Sequence, residues 1–312
     1  MWILFIVFWA FVIGANIYLS KRFAFYFNIE NTRSMYILFA SITVFLIGGM
    51  IAFTNATGIL SHILFSLAAI GMGAILYLIL SVVLVDIVSI FYKVEPRFYG
   101  LAALAITVIV SGYGILNASN IRTTKVDISL PGVQHELKAM HLTDIHIGHF
   151  RGKDFLQRIV DKTIQENVDV VFLTGDLFDG KIRLNDESLE PLKQLDVPIY
   201  FVEGNHDGYS GSEEIKENLR EIGIHVLENE VTQWNGLQII GLNHMLADEN
   251  SVDMHANGDH STIKETLAQL ETETGKPTVL LHHSPDGIKY ASEKGVNLYL
   301  AGPYTCRANV PD

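Results

Sequence analysis

The sequence is short of several residue types, and each shortage excludes a class of protein. It has one cysteine in 312 residues, Cys306, so no disulfide can form within the chain. Only five basic and three acidic residues fall within residues 1–120, out of 22 and 34 in the whole chain. The remainder carries 17 basic and 31 acidic residues, and this acidic excess argues against nucleic acid as a partner.

The first 120 residues consist mainly of long apolar runs. Uncharged stretches extend over 1–20, 34–92 and 98–121, and the middle one is interrupted only by Asp86. An apolar helix of about 20 residues crosses a hydrocarbon layer of roughly 30 Å. We therefore predict a membrane domain over residues 1–120, with transmembrane helices at about 2–19, 35–53, 62–88 and 98–117.

The positive charges between these segments predict the orientation of the chain. Lys21, Arg22 and Arg33 lie in the first loop, and Lys93 and Arg97 lie in the third. Short loops rich in lysine and arginine face the cytoplasm. We therefore expect a multi-pass protein of the cell membrane whose second half is extracytoplasmic.

From residue 121 onwards, short apolar runs alternate with amphipathic stretches. Strands that alternate with helices are typical of an α/β domain with a largely internal sheet. We predict one such domain over residues 121–312. The predicted strands are 137–143, 168–174, 197–203, 237–242, 277–282 and 296–301, and the predicted helices lie near 153–167, 186–195, 212–222 and 261–273.

Polar clusters follow four of the predicted strands. They read TDIHIGH, GDLFD, GNHD and HHSPD in chain order. A single cluster of this kind is ordinarily a turn rich in Asp and Gly. Open α/β sheets, however, bind ligands beyond the carboxyl ends of their strands, where loops from several strands converge. Four clusters at four strand ends therefore predict one ligand site.

The residue types in these clusters suit metal ions. Carboxylate, imidazole and amide oxygen favour divalent or trivalent ions such as Mn, Fe or Zn over soft thiolate sites. Asp144 and His146 are two residues apart just past a strand, so their side chains point to the same side. Asp176 could bridge two ions, and Asn205 supplies a neutral oxygen. Two ions would activate a bridging water and clamp a phosphoryl group, and His206 could protonate the leaving alkoxide.

The ordered series D-I-H, G-D-L-F-D, G-N-H-D and H-H-S-P-D resembles the successive motifs of the calcineurin-like metallophosphoesterases. The resemblance covers roughly residues 135–302 and is strongest to the bacterial membrane-attached branch of that family. It implies a four-layer α/β/β/α sandwich of two sheets flanked by helices, with a dinuclear metal centre at one edge.

The resemblance also implies a set of metal ligands. Asp144 and His146 would hold the first ion, and Asp176 would bridge both ions. Asn205 and His283 would hold the second ion.

Further residues near the motifs take supporting roles under the same resemblance. His206 would assist the leaving group, while Asp179 and Asp207 would support the ligands from behind. His283 is preferred to His282 as the ligand because it directly precedes the S-P-D turn. Three further histidines are expected to be ordinary surface or strand residues, namely His141, His149 and His244.

The chain departs from the family's pattern at the last motif. The family carries G-H-T-H-x-G-Q after a strand, and its two histidines complete the two metal sites. Here Gly302 is followed by Pro303 and Thr305 at the positions of those histidines. As written, each ion would lack one ligand, and the domain is expected to be truncated at its C-terminus.

The genetic code offers an explanation for this departure. Back-translation of residues 302–312, with one base removed at the Gly302–Pro303 junction, permits G-H-T-H-A-G-Q in the family's order. We therefore predict that the last ten residues are an out-of-frame translation of the final motif. The alternative is a genuine truncated protein with a degenerate site.

The sequence as a whole predicts a membrane phosphoesterase that hydrolyses a phosphate mono- or diester through a hydroxide bound to two metal ions. The expected substrate is a phosphorylated small molecule or a lipid- or envelope-linked phosphate, while protein partners stay open. One alternative is a catalytically impaired membrane sensor that binds a phosphorylated ligand. Another places the function in the helices, but Asp86 and His62 are expected near the ends of the third helix, which leaves little for a charged pathway.

Overall fold

Four long apolar helices build the first of two compact units, Met1–Arg122 and Thr123–Asp312. The computed structural model describes residues 2–56, 58–179, 186–251, 261–302 and 304–306. All four helices are long and apolar enough to cross a bilayer, which agrees with the four predicted segments. The helices are α1 (Trp2–Tyr26), α2 (Thr32–Phe53), α3 (Ile59–Phe91) and α4 (Pro96–Ala118).

The helical unit contains a hydrogen-bonded acidic side chain and a core of buried apolar side chains. Tyr18 donates a hydrogen bond of 2.7 Å to the Asp86 carboxylate, which also accepts hydrogen bonds from Arg22 and Tyr26. A charge in an apolar helix is costly unless it is paired in this way. The core consists of Leu19, Phe23, Tyr26, Phe39, Leu78, Val82, Val85, Tyr99 and Ala103.

The second unit contains two β-sheets. The first is fully parallel, in the order β1-β2-β3-β4, and the second has the order β5-β6-β7-β8-β9. In the second sheet β6, β7 and β8 run parallel, while the flanking strands β5 and β9 are antiparallel to their neighbours. The strands are β1 (Ala139–Leu142), β2 (Val170–Thr174), β3 (Ile199–Val202), β4 (His225–Val226), β5 (Glu230–Trp234), β6 (Leu237–Gly241), β7 (Thr278–Leu281), β8 (Leu298–Ala301) and β9 (Tyr304–Cys306).

The two sheets pack face to face around the main core of this unit. Alternate residues of a strand point to opposite faces, so Val170 and Phe172 face the second sheet while Val171 and Leu173 face away from it. Both faces are therefore apolar, as is usual for parallel strands covered on two sides. The inter-sheet core contains Val170, Phe172, Tyr200, Val202, Leu227, Leu237, Ile239, Val279, Leu281, Leu298 and Leu300.

Helices form the outer layers. A second core packs the outer face of the second sheet against α8 (Ile263–Gln269) and α9 (Ile288–Glu293). The parallel strands of the first sheet are connected through α5 (Lys153–Gln165), through the short α6 (Asp186–Leu189) with a following 3₁₀ turn, and through α7 (Asn205–Glu221). The arrangement confirms the predicted two-sheet α/β architecture.

Candidate metal centre

The loops that carry the motif residues all leave the carboxyl ends of strands. Asp144, Asp176 and His283 each lie two residues beyond the last residue of β1, β2 and β7, respectively. Asn205 is the first residue of α7 and follows β3 by three residues. Parallel strands end at the same edge of a sheet, so four segments far apart in sequence supply one cluster of side chains.

Two groups of potential metal ligands share one carboxylate. The ligating atoms of His146, Asp176 and His206 lie within 4.8 Å of one another, and so do those of Asp144, Asp176 and His283. Asp176 Oδ2 lies 3.3 Å from His283 Nε2 and 3.6 Å from His146 Nε2. Because Asp176 belongs to both groups, it is placed where a bridging ligand between two ions would be.

The chemistry of this donor set fits divalent metal ions. Two carboxylates and three imidazoles converge in these two groups. Burial would raise the pKa of Asp144 and Asp176, but hydrogen bonds from His146 and His283 hold the pKa of each carboxyl below its usual value. Both carboxylates are therefore ready as anionic ligands. Among the described residues His146 Nδ1 is buried without a hydrogen-bond partner, while its Nε2 faces the carboxylates.

Three of these candidate ligands have a strained backbone. The φ angles of Asp144, His146 and Asp176 are 53°, 51° and 53°. They lie in the left-handed region, which residues other than glycine rarely adopt. Each such residue costs about 1–2 kcal/mol, and such strain is concentrated at functional sites. The strained residues are tied to one another, since Asp144 N–H donates to the Gly175 carbonyl (3.2 Å) and His146 N–H to the Asp176 carbonyl (2.9 Å).

Glycines let the loops approach closely enough to form the cluster. A Cβ on Gly204 would lie 2.5 Å from the backbone nitrogen of Asp176 and closer still to its Oδ1. A Cβ on Gly302, at the end of β8, would lie 2.8 Å from Asp144 Oδ2 and clash with Thr143 Oγ1. The cluster therefore requires glycine at both positions.

His206 lies at the accessible side of the cluster. Its side chain is 40% exposed, and its ring lies 4.8 Å from that of His146. His206 N–H donates to Asp176 Oδ1 (2.9 Å), and its Nδ1 lies 3.2 Å from Asp179 Oδ1. Asn205, next to it, is partly buried in the first turn of α7. A histidine that is both oriented and exposed is suited to proton transfer.

Asp207 is a buried carboxylate that accepts hydrogen bonds from two loops of the site. It is 1% exposed and accepts hydrogen bonds from the Gly204 amide (2.9 Å) and the Phe178 amide (3.1 Å). These bonds join the loop after β2 to the loop after β3. Burial raises the pKa of Asp207 to about 6. Asp179, in contrast, is about half exposed and lies 3.2 Å from His206 Nδ1.

The two adjacent histidines after β7 point in different directions. His283 Nδ1 lies 2.8 Å from the Thr174 carbonyl, which turns Nε2 towards Asp176. The pKa of His283 is raised to about 9, because the charge and hydrogen bond of Asp176 outweigh the effect of burial. His282 Nδ1 lies 2.8 Å from the Ser284 carbonyl instead. Because His282 is fully buried, its pKa is lowered to about 3.

Sequence reasoning gave no role to two residues that the structure places against the cluster. His244 was expected to be an ordinary histidine, but it is 4% exposed and its ring lies 5.8 Å from those of both His282 and His283. Arg151 donates from Nη1 to the carbonyls of Asp144 (2.8 Å) and Ile145 (2.9 Å). Neither residue belongs to one of the four motifs, so nothing in the sequence singled it out. Only its contacts in the folded chain place it at the cluster.

The departure in the last motif falls mainly outside the described residues. The backbone of Thr305 lies in β9, which pairs with β8, whereas Pro303 and residues 307–312 are not among those described. The shifted reading frame therefore stays a prediction.

Comparison with known proteins places this geometry in a family. The model of the family described as calcineurin-like phosphoesterase matches residues 137–308. An uncharacterized metallophosphoesterase of Helicobacter pylori (strain J99) is 33% identical over 178 residues, which cover 56% of this chain and 46% of that protein. A transmembrane protein with metallophosphoesterase domain from Danio rerio is 31% identical over 218 residues, covering 64% of this chain and 48% of that protein.

The match covers the two sheets and every loop of the cluster. The chain spans about half the length of these two relatives. An uncharacterized metallophosphoesterase of Aquifex aeolicus is 28% identical over 201 residues, which are 63% of this chain and 74% of that protein. The family match takes in more than half of the chain, from just before β1 to beyond β8. The chain therefore belongs to the calcineurin-like phosphoesterase family.

Proposed function

We propose that this protein is a membrane-anchored, metal-dependent phosphoesterase. The observation that carries the proposal is the position of Asp176, which is shared by two groups of ligands and 3% exposed. Asp176 is a buried carboxylate with a lowered pKa, and three imidazoles face it. This arrangement suits a carboxylate that bridges two metal ions better than one that forms a single structural ion pair.

The ligands proposed for two ions are Asp144, His146, Asp176, Asn205 and His283. Mn, Fe or Zn ions bound there would supply a Lewis acid for a phosphoryl oxygen and lower the pKa of a bound water. The chain's own groups hold the ligands in place, since Asp144 and His146 are fixed by backbone hydrogen bonds to the loop after β2. The negative charges of Asp144 and Asp176 would repel a phosphate ester unless the positive charge of bound metal ions offset them.

His206 is proposed as the general acid. When Asp179 accepts a hydrogen bond from Nδ1, the other ring nitrogen, Nε2, is the one available to donate a proton to a leaving alkoxide. The exposure of the side chain leaves room for a substrate. His206 lies in the first turn of α7, where its backbone amide is tied to Asp176, so its position relative to the ligands is fixed.

The substrate class proposed is a phosphate mono- or diester that is lipid-linked or part of the cell envelope. The support is the presence of four candidate membrane spans in the same chain, together with a relative named as a transmembrane protein with a metallophosphoesterase domain. The charge distribution supports a topology in which the phosphoesterase unit is extracytoplasmic. In the structure the predicted loop cations Lys21 and Arg22 lie in the last turns of α1, Arg33 lies in α2 and Arg97 lies in α4, while Lys93 lies between α3 and α4, so they still flank the first and third connections. The acidic second unit makes nucleic acid an unsuitable substrate.

The proposal is tested with the full chain in detergent micelles, supplied with Mn²⁺ and a chromogenic phosphodiester. Asp176→Asn keeps the shape of the ligand and removes its charge, and His206→Ala removes the proposed acid. We expect each to lower kcat/KM by roughly 100-fold or more, since loss of a general acid alone typically costs that much. Asp161→Asn on the exposed face of α5 and His225→Ala at the exposed position of β4 are matched controls that should retain activity.

The outcomes separate catalysis from binding. Activity of Asp176→Asn or His206→Ala within a few-fold of the controls would refute the site assignment. Metal binding by the unaltered chain without any turnover would instead support the alternative of a sensor that binds a phosphorylated ligand.

A further inference from the structure

Arg151 closes the loop that follows β1. Its guanidinium Nη1 donates to the carbonyl oxygens of Asp144 (2.8 Å) and Ile145 (2.9 Å). Its own carbonyl accepts a hydrogen bond of 2.8 Å from Gly148 N–H. The guanidinium also lies over the ring of Phe155, 5.1 Å from its centroid. Arg151 is therefore bonded to the turn through both its side chain and its backbone.

The two carbonyls define the geometry between two proposed ligands. Because a peptide unit is planar, the Asp144 carbonyl fixes the plane between residues 144 and 145, and the Ile145 carbonyl fixes the plane between 145 and 146. These two planes set the direction in which the side chains of Asp144 and His146 leave the backbone. In this arrangement His146 Nε2 lies 3.8 Å from Asp144 Oδ1.

The turn needs such a restraint because its backbone is strained. Asp144 and His146 both have left-handed φ angles, 53° and 51°, which cost about 1–2 kcal/mol each. Their amide N–H groups are held from one side by the carbonyls of Gly175 and Asp176. Arg151 holds the carbonyls that lie between them, so both edges of the strained turn are fixed.

We propose that Arg151 is a positioning residue of the metal centre, which sets the relative orientation of Asp144 and His146 without binding an ion or substrate itself. The inference rests on the proposed function for the identity of the ligands. It predicts that loss of the guanidinium weakens metal binding while the fold persists, because the sheets and their cores do not depend on this side chain.

The first test compares Mn²⁺ affinity in three variants of the full chain in detergent, by isothermal titration calorimetry without substrate. Arg151→Met should bind Mn²⁺ about 10- to 100-fold more weakly, the range found when support of a metal ligand is removed. Arg151→Lys keeps a charged donor able to reach a carbonyl and should recover part of the affinity. Arg158→Met is the matched control, since the Arg158 guanidinium packs over the same Phe155 ring, 5.3 Å from its centroid, and should bind like the unaltered chain.

A second readout works without metal. In EDTA, hydrogen exchange of the amides of Asp144 and His146 should speed up at least tenfold in Arg151→Met and stay unchanged in Arg158→Met. If the unaltered chain binds no Mn²⁺, the proposed function fails, but this exchange measurement still decides the role of Arg151. Unchanged exchange in Arg151→Met, or equal loss of Mn²⁺ affinity in Arg151→Met and Arg158→Met, would overturn the inference. If Arg151→Met does not fold, the amide exchange and Mn²⁺ affinity of Arg151→Lys are compared with those of Arg158→Met instead.

Discussion

Replacement of Gly204 by alanine tests the close approach of the loops on which the metal centre depends. Gly204 precedes the first turn of α7 and has φ −105° and ψ 179°, an extended backbone that alanine adopts without strain. Any effect of the substitution therefore comes from the space around the new methyl group. That methyl would lie 2.5 Å from the Asp176 nitrogen and 3.0 Å from the Asp176 Cγ.

The magnitude follows from these distances. A carbon atom is comfortable at about 3.5 Å from a neighbouring heavy atom, so the Asp176 backbone must retreat by about 1 Å. Overpacking of this kind costs about 1–3 kcal/mol, and a displacement of about 1 Å in a reacting group lowers turnover by roughly 100-fold. Asp176 cannot move freely, because its carbonyl accepts a hydrogen bond from His146 N–H and its Oδ1 accepts one from His206 N–H.

The chain contains a matched control for this substitution. Gly152 precedes the first turn of α5 with φ −103° and ψ −163°, and a methyl group there would meet nothing within 4 Å. The intrinsic cost of alanine before a helix is therefore common to Gly152→Ala and Gly204→Ala, and their difference isolates the clash.

The assay is thermal unfolding in EDTA, followed by kcat/KM with Mn²⁺ and a chromogenic phosphodiester. Gly204→Ala should unfold at a temperature lower than Gly152→Ala by several degrees and lose roughly 100-fold in kcat/KM. Equal unfolding temperatures and activities within twofold of each other would show that the loops do not approach as closely as described.

Three further predictions concern acid stability, a buried ion pair and the last motif. Burial lowers the pKa of His141 to about 4, whereas the same histidine in the unfolded chain takes up a proton near pH 6.5. The free energy of unfolding should therefore fall as the pH drops from 6.5 to 4. In denaturant titrations over this pH range, His141→Gln should make that fall smaller. Lys216→Met should cost about 3–5 kcal/mol in urea unfolding because it removes the positive charge paired with a carboxylate that is 5% exposed, whereas Lys153→Met, which breaks an exposed pair, should cost less than about 1 kcal/mol; equal costs would contradict the buried pairing. The paired substitution Pro303→His and Thr305→His should raise Mn²⁺ affinity at least tenfold in calorimetry if the last motif has lost two ligands, and unchanged affinity would contradict that view.

Local patterns were sufficient to predict most of the helices and strands. Apolar runs of twenty residues or more predict helices because only a helix satisfies its own backbone in lipid, and four such helices are present. The short apolar runs of the second half became β1, β2, β3, β6, β7 and β8 within two residues at each end. The two-residue β4, the three-residue β9 and the short α9 were not predicted, since each has too few residues to show a period. The flanking strand β5 was not predicted either, because its residues, EVTQW, are mostly polar. Helix α7 begins at Asn205, earlier than the predicted 212, because its first turn consists of polar site residues without a hydrophobic pattern.

The sequence by itself determined that Asp, His and Asn follow the ends of several strands, and it predicted that they come together as metal ligands, because these residue types are chemically distinctive and parallel strands bring such ends together. Only the tertiary structure decided how they are arranged. The direction of His283 depends on the carbonyl of Thr174, 109 positions away, and the shared position of Asp176 depends on loops from three other strands. The role of Arg151 depends on two carbonyl oxygens, which no side-chain pattern reveals. Contacts between distant segments are set by packing of the two sheets, and packing is not encoded at any single position.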